Sequence, residues 1–438
     1  MSSKIGFWSV FALVTGSQIG SGVLMLPTNL APYGTLSLIG WLISGLGAVM
    51  LALVFANLCS RYPRTGGPHA YVKETFGNMP AFFTGWTYWI ISWVSTPIVI
   101  CASVGYLTPL LGMPSPWFKL ALEMFLLLSI TAINLRGVKA AGSAEFFLSL
   151  LKIIPLLIVP IAALSLFDMN NFAKMETVAT MGTMSQSLGH VVLLTLWGFI
   201  GLESATAPAG SVENPGKTIP KAVVWGTICV ALLYFLNSLG IMGAMSAGDL
   251  INSKAPYADT VRLLVPGNWH MVVSLIAAVV CIGTLNAWML ASGQIALGNA
   301  QDGLMPAFIA KQNRHGAPAV ALIISCLGIL PLLIMTMNES LTQSINIIID
   351  FSVTAFLFVY IVCCLAIIKV LFKHKGSLLQ WSYTLGALSF CGWIIYETPV
   401  KTLLISSCFV LSGLPFYFYQ RKQVQVKERF SALAEVAS

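Results

Sequence analysis

Apolar runs long enough to cross a bilayer, about 20 residues each, follow one another along almost the whole 438-residue chain. They lie near residues 7–30, 36–58, 80–110, 117–135, 143–166, 188–209, 221–245, 270–300, 317–337, 345–371, 378–396 and 400–420. The fold expected is an all-α integral membrane protein of twelve spans. Composition agrees: 57% of residues are hydrophobic types, 9% are charged and the mean hydropathy is +0.85. An ordinary soluble domain is roughly 25% charged. So little charge cannot cover a water-facing surface, which excludes a soluble enzyme, a disordered chain and a nucleic-acid-binding protein. Alternating segments of about ten residues, the sign of an outer-membrane barrel, are absent. The first run passes into a Gly-rich segment and not a small-residue cleavage site, so it reads as a retained span.

The net charge of +8 is explained by position. With the N-terminus placed in the cytoplasm, the inner segments take 17 of the 23 Lys and Arg residues. Lys119, Lys174, Lys254, Arg262 and Lys401 fall outside, and Lys152 falls inside span five. That bias supports twelve spans with both termini cytoplasmic, and basic loops facing anionic lipid account for the charge. The nine cysteines show no metal-ligand spacing and read as small core residues. The five histidines, His69, His190, His270, His315 and His374, form no HExxH pattern. GxSxG is also missing. Neither an enzyme nor a metal or other cofactor is expected.

Two spans are poor helix. Gly16-Ser17-Gln18-Ile19-Gly20-Ser21-Gly22 precedes Pro27, and Trp197-Gly198-Phe199-Ile200-Gly201-Leu202-Glu203-Ser204 precedes Pro208. Glycines in mid-membrane can serve close helix packing, or they can mark unwound helix whose free amides hold an anionic carboxylate. The second segment comes five spans after the first. Paired interrupted helices in corresponding halves point to a substrate site between inverted repeats. Glu203 is an acid within an apolar span and is costly there. It reads as a proton carrier, gate or cation partner, against a carboxylate bonded to nearby backbone.

GSGVLMLP at 20–27, WGFIGLESA at 197–205, VENPGKTIPKA at 212–222 and QDGLMPAFIAKQNRHGAP at 301–318 resemble the amino acid–polyamine–organocation superfamily. The likeness runs in order from span one to span ten. It is nearest to the basic amino acid/polyamine antiporters, such as arginine/agmatine and putrescine/ornithine exchangers. The resemblance implies the LeuT-type fold: five-helix repeats at 1–166 and 188–371, two accessory helices at 378–420 and a short tail at 421–438. Secondary transport by alternating access would follow, with an amino acid or polyamine as substrate. Protons and a second copy of the chain are further partners it allows, in the inner membrane of a bacterium.

On that resemblance Ser21 and Gly22, with Ser17 and Gln18 beside them, hold the carboxylate and amine of the substrate. Trp197 and Ile200 supply an aromatic gate and a carbonyl contact, and Trp288 takes the inner aromatic position within CIGTLNAWMLASGQ. A tryptophan face can hold a cationic head. Ser92, Thr96 and Ser352 are further contacts. Thr96 stands where the arginine exchangers have an asparagine, which weakens the case for guanidinium recognition. Asp350 is either the partner of a cationic tail or an acid at the external boundary. Lys152 is a departure from the basic amino acid antiporters. It resembles the span-five lysine of proton-coupled members, whose ammonium stands where sodium sits in sodium-coupled relatives. Exchange of a basic amino acid for its related amine, proton-coupled uptake through Lys152, and a transporter-fold nutrient sensor without flux all stay open.

Overall fold

The computed structural model describes residues 4–112, 115–173, 183–335 and 341–422. Among these residues the regular structure is helical, apart from an isolated parallel bridge between Ile5 and Val212. Span one is two helices, α1 (Phe7–Gln18) and α2 (Ser21–Leu30), and span two is α3 (Leu36–Arg61). A short helix α4 (Pro68–Phe76) leads to span three, α5 (Asn78–Val94) and α6 (Thr96–Leu111). Spans four and five are α7 (Pro116–Leu135) and α8 (Val138–Ala163). Span six begins as α9 (Met184–Trp197), and span seven is α10 (Pro215–Ala244). After α11 (Ala247–Ile251) and α12 (Pro256–Leu264), span eight is α13 (Trp269–Gln301). Spans nine to twelve are α14 (Ala319–Met335), α15 (Leu341–His374), α16 (Leu378–Glu397) and α17 (Val400–Leu411). Nine segments of the described residues are long and apolar enough to cross a membrane by themselves. Spans five, six and nine complete the twelve expected.

Three details differ from the sequence reading. Span three is not one rod. It breaks at Ser95, because Pro97 offers no N–H and restricts Thr96 before it. The motif at 212–222, which the sequence suggests as a rigid turn between its two prolines, is helical from Pro215, where α10 starts and a missing N–H costs nothing. Cys229 and Cys408 are exposed, while the other seven cysteines are buried. A thiol is apolar enough to face lipid as readily as core.

The broken spans occupy the centre. α1 lies against α8 and α10, and α10 runs along α3. On the other side α13 packs on α6 and α8. Spans eleven and twelve stay peripheral, with 28% and 11% of their apolar windows buried.

At the end where the chain starts, three ties draw elements together. Ile5 N–H donates to Ser211 O at 2.9 Å, and Glu213 N–H donates back to Ile5 O at 3.0 Å. Gly66 N–H donates to Ala207 O at 2.9 Å. Asp302, just past α13, receives Lys73 Nζ at 3.2 Å and faces His69 Nε2 at 3.3 Å, both from α4. His69 and then Lys73 hold the Asp302 carboxyl below its ordinary range against partial burial. A carboxyl lowered by folding stabilises above its unfolded pKa, about 3.9, and that contribution is lost as pH falls through the lower folded value. Asp302→Asn is therefore expected to lower the thermal midpoint in detergent at pH about 7, with the gap to wild type closing in acid as the pH falls through the lowered folded value. A gap of equal size at neutral and acid pH would remove the carboxylate from the account.

Candidate functional site

Unwinding at the centre leaves backbone groups that need partners. α1 ends at Gln18, and Gly20 takes an extended conformation before α2 begins. Three carbonyls at the break in span one meet donors from other spans. Lys152 Nζ donates to Gly16 O at 2.8 Å, Tyr234 Oη to Gln18 O at 2.6 Å and Thr284 Oγ1 to Ile19 O at 2.7 Å. Further along, Pro27 cannot donate to the carbonyl four residues back, and Asn237 Nδ2 donates to that Val23 O at 2.8 Å. Tyr106 Oη donates to Leu24 O at 2.9 Å. Gly20 is fixed by close approach: a Cβ there would lie 2.4 Å from Thr284 Oγ1.

Span six breaks differently. After Trp197 the chain continues through successive i to i+3 turns, with Gly201 at φ +102°. Only glycine adopts that backbone without strain. Ser17 Oγ lies 2.9 Å from both Val14 O and Gly201 O and 2.7 Å from Ser204 Oγ, so its one proton is shared among acceptors on both breaks. The two breaks are thus stitched to each other. Trp41, Phe199 and Tyr234 form an aromatic cluster beside them, with ring centroids 5.0 to 6.0 Å apart.

Between the breaks lies a small cavity of about 20 Å³, lined by Ser17, Gln18, Gly20, Gly22, Val99, Trp197, Ile200, Thr284 and Trp288. α2 starts here with no side chain capping its first N–H groups, and such a helix start attracts anions. Gln18 Oε1 is buried without a protein hydrogen bond, so it offers an acceptor to an ammonium. Trp197 lies over Gly22, where a Cβ would come within 3.2 Å of its Cδ1. One wall therefore suits a carboxylate, one an amine, and two tryptophans close the ends.

Glu203 lies beyond Ile200, fully buried. Tyr360 Oη donates to its Oε2 at 2.8 Å, while Oε1 has no protein hydrogen bond. The Tyr88 hydroxyl lies beside the carboxylate without reaching bonding geometry. Phe356 contacts the rings of the cavity-lining Trp288 and of Tyr88 and Tyr360 beside Glu203, with neighbouring centroids 5.4 to 6.1 Å apart, so one run of rings links the cavity to the carboxylate. Lys152 is 1% exposed, and its Nζ also approaches Thr284 Oγ1 at 3.3 Å.

Residues 5–434 match the amino acid permease family. The chain belongs to the amino acid permease family. The putrescine transporter PotE of Haemophilus influenzae is 29% identical over 98% of this chain and 99% of its own length. The cadaverine/lysine antiporter of Escherichia coli strain K12 is 28% identical over 96% of this chain and 95% of its own. The putrescine transporter PotE of the same strain is 26% identical over 98% of each chain. This permease is a multi-pass membrane transporter and not an enzyme.

Of the residues singled out in the sequence, the permease brings Ser17, Gln18, Gly22, Trp197, Ile200 and Trp288 to one cavity. The side chain of Ser21 lies outside the described residues. Ser92 and Thr96 are buried but bond back along their own span, to Trp89 O at 2.6 Å and Ser92 O at 2.9 Å. Ser352 is buried with no protein partner for its hydroxyl and does not line this cavity. Asp350 lies at the far end, within electrostatic range of Tyr33, with Oδ1 unpartnered. Val99, Thr284, Tyr88, Tyr360 and Tyr234 were not found from sequence. Their roles depend on which span each one faces, and a single polar residue in an apolar run carries no such signal.

Tyr360→Phe leaves Glu203 buried with no donor on Oε2 and is expected to destabilise the permease by about 1–3 kcal/mol. Combining it with Glu203→Leu should recover part of that loss. Thermal unfolding of the two single variants and the double variant measures the coupling, and strictly additive losses would contradict it.

Proposed function

We propose that this permease exchanges a basic amino acid for its related amine across a bacterial inner membrane by alternating access, with both termini cytoplasmic. The observation that carries the reading is Glu203, a fully buried carboxylate with one oxygen lacking a protein partner, three residues past a cavity-lining position. A buried charge is costly without a counter-charge. An ammonium-bearing substrate supplies one in passing. The lining suits the rest of an amino acid once the cavity, here about 20 Å³, widens to admit it: its carboxylate on the first N–H groups of α2 at Ser21 and Gly22, and its amine near Gln18 Oε1 and the Ile200 carbonyl. Trp197 and Trp288 cover it, and Ser17 holds the two breaks in register. Ser92, Thr96 and Ser352 bear on the substrate through the buried span junctions around it, and Asp350 draws the cationic tail. The relatives named as putrescine and cadaverine/lysine transporters support the substrate class.

The repeats are residues 1–166 and 188–371, with 378–420 as accessory helices. The largely unburied last spans suit lipid and a second copy of the chain. The ties at the basic end, with a cavity of about 20 Å³, fit a conformer closed toward the cytoplasm.

Counterflow tests the exchange. Proteoliposomes loaded with unlabelled lysine, ornithine or a diamine are expected to accumulate labelled lysine, and empty ones are not. Trp197→Leu should raise KM about tenfold, the equivalent of about 1.4 kcal/mol. Accumulation indifferent to the internal load would overturn exchange. Absence of any saturable flux would leave a sensor.

Lys152 favours a second reading, proton-coupled uptake. Its ammonium sits on the Gly16 carbonyl at the break itself, so loss of its proton would release span one. Lys152→Ala is expected to keep counterflow and to lose uptake driven by an inward proton gradient. If the wild type shows no gradient-driven uptake, Lys152 is a fixed structural charge.

A further inference from the structure

A second cavity, of about 760 Å³, opens at the end of the bundle opposite the basic ties. It lies between the end of span one, the start of α9 and the turn joining α16 to α17. Its walls include Tyr33, Ser185, His190, Leu193, Tyr396 and Glu397, and among the described residues no Lys or Arg lines it. Nothing in the transport scheme above uses it.

We propose that this cavity is a separate binding site for a soluble alkylammonium ion, a staging site on the route to the central cavity. Glu397 is built into its wall. Its stem crosses α9 at Gly189, where an added Cβ would meet the Glu397 Cβ at 2.5 Å, so glycine makes room for it. Ser185 Oγ donates to Glu397 Oε1 at 2.6 Å and orients the carboxylate. The Tyr33 and His190 rings lie 5.8 Å apart beside it, and an aromatic face attracts a cation. Leu193, Pro399 and Val400 give methylene groups an apolar wall. Asp350, on α15, stands within electrostatic range of Tyr33 and adds negative potential without lining the cavity. With one carboxylate and no Lys or Arg among the described lining residues, the cavity favours a cation. It also disfavours a lipid head, whose phosphate would find no basic partner. Gly189 and Trp197 are eight positions apart on one helix, so the site sits about 12 Å along α9 from the central tryptophan. A linear diamine released here has a short path to the breaks.

The proposal rests on the exchange reading for its purpose but not for its binding. Initial rates of exchange of a radiolabelled five-carbon diamine are measured in right-side-out and inverted vesicles. Glu397→Gln is expected to raise KM about fivefold from the face carrying Glu397, with the effect confined to KM and with a shallower salt dependence. The other face should be unaffected, and Glu397→Asp should restore most of the loss. A KM that stays put, or that rises equally from both faces, overturns the staging role. Equilibrium binding of the same diamine to solubilised Trp197→Ala protein, whose central site is weakened about tenfold, should keep a component of unchanged affinity that is lost in Trp197→Ala/Glu397→Gln. No binding to the single variant overturns the site. Absent flux with Glu397-dependent binding intact would instead sink the exchange reading and leave this site standing.

Discussion

Two spans abandon the helix in the middle of the bilayer, and the centre of this permease is arranged around that fact. Hydrocarbon offers no hydrogen bonds, so every carbonyl freed by unwinding must find a donor inside the protein. Lys152, Tyr234, Thr284, Asn237 and Tyr106 supply those donors from spans five, seven, eight and three. The breaks are therefore held by the very helices that must move if access is to alternate. A site of this kind is pre-organised, because the protein's own donors have already replaced the helix. The amides at the start of α2 have no side-chain cap, which suits them to an anionic group.

Size explains why span one breaks where it does. Gly20 passes Thr284 at a distance no Cβ tolerates, and Gly22 lies beneath the Trp197 ring. Gly283 has the same role on the opposite wall, where an added Cβ would meet Lys152 Cε at 2.8 Å. Lysine can reach the Gly16 carbonyl because its neighbour on α13 has no side chain. The glycines thus do two jobs. They permit irregular backbone, and they let polar side chains approach it.

Charge is distributed sparingly and with purpose. Glu203 is buried beside Tyr360 and Tyr88, whose rings meet the cavity-lining Trp288 through Phe356. Lys152 is kept on the far side of the break, against a carbonyl and a hydroxyl. Outside the bilayer, His69 and Lys73 converge on Asp302 and fasten the loop after span two to the end of span eight. Span eight also carries Thr284 and Trp288, so that fastening bears on one wall of the cavity.

Much of this was legible in the chain. Long apolar runs dictated helices that cross a membrane, because nothing else satisfies their backbone there. Gly-rich segments in spans one and six announced the breaks, and motif order announced the family. Six of the expected cavity residues do meet at one place, five because they sit on the breaks themselves and Trp288 because span eight packs against them. What sequence alone could not decide is facing. Ser92 and Thr96 were equally plausible contacts, yet their hydroxyls turn back along the helix, as Ser and Thr do when no other acceptor is near. Tyr88 and Tyr360 are far apart in sequence from Glu203 and are ordinary residues of apolar spans. Only the packing of α5 and α15 brings them to the carboxylate. Residue type and spacing fix where a helix must fail. Which distant side chains answer that failure depends on how the spans rotate against one another, and that is settled by close packing and by glycine contacts in three dimensions.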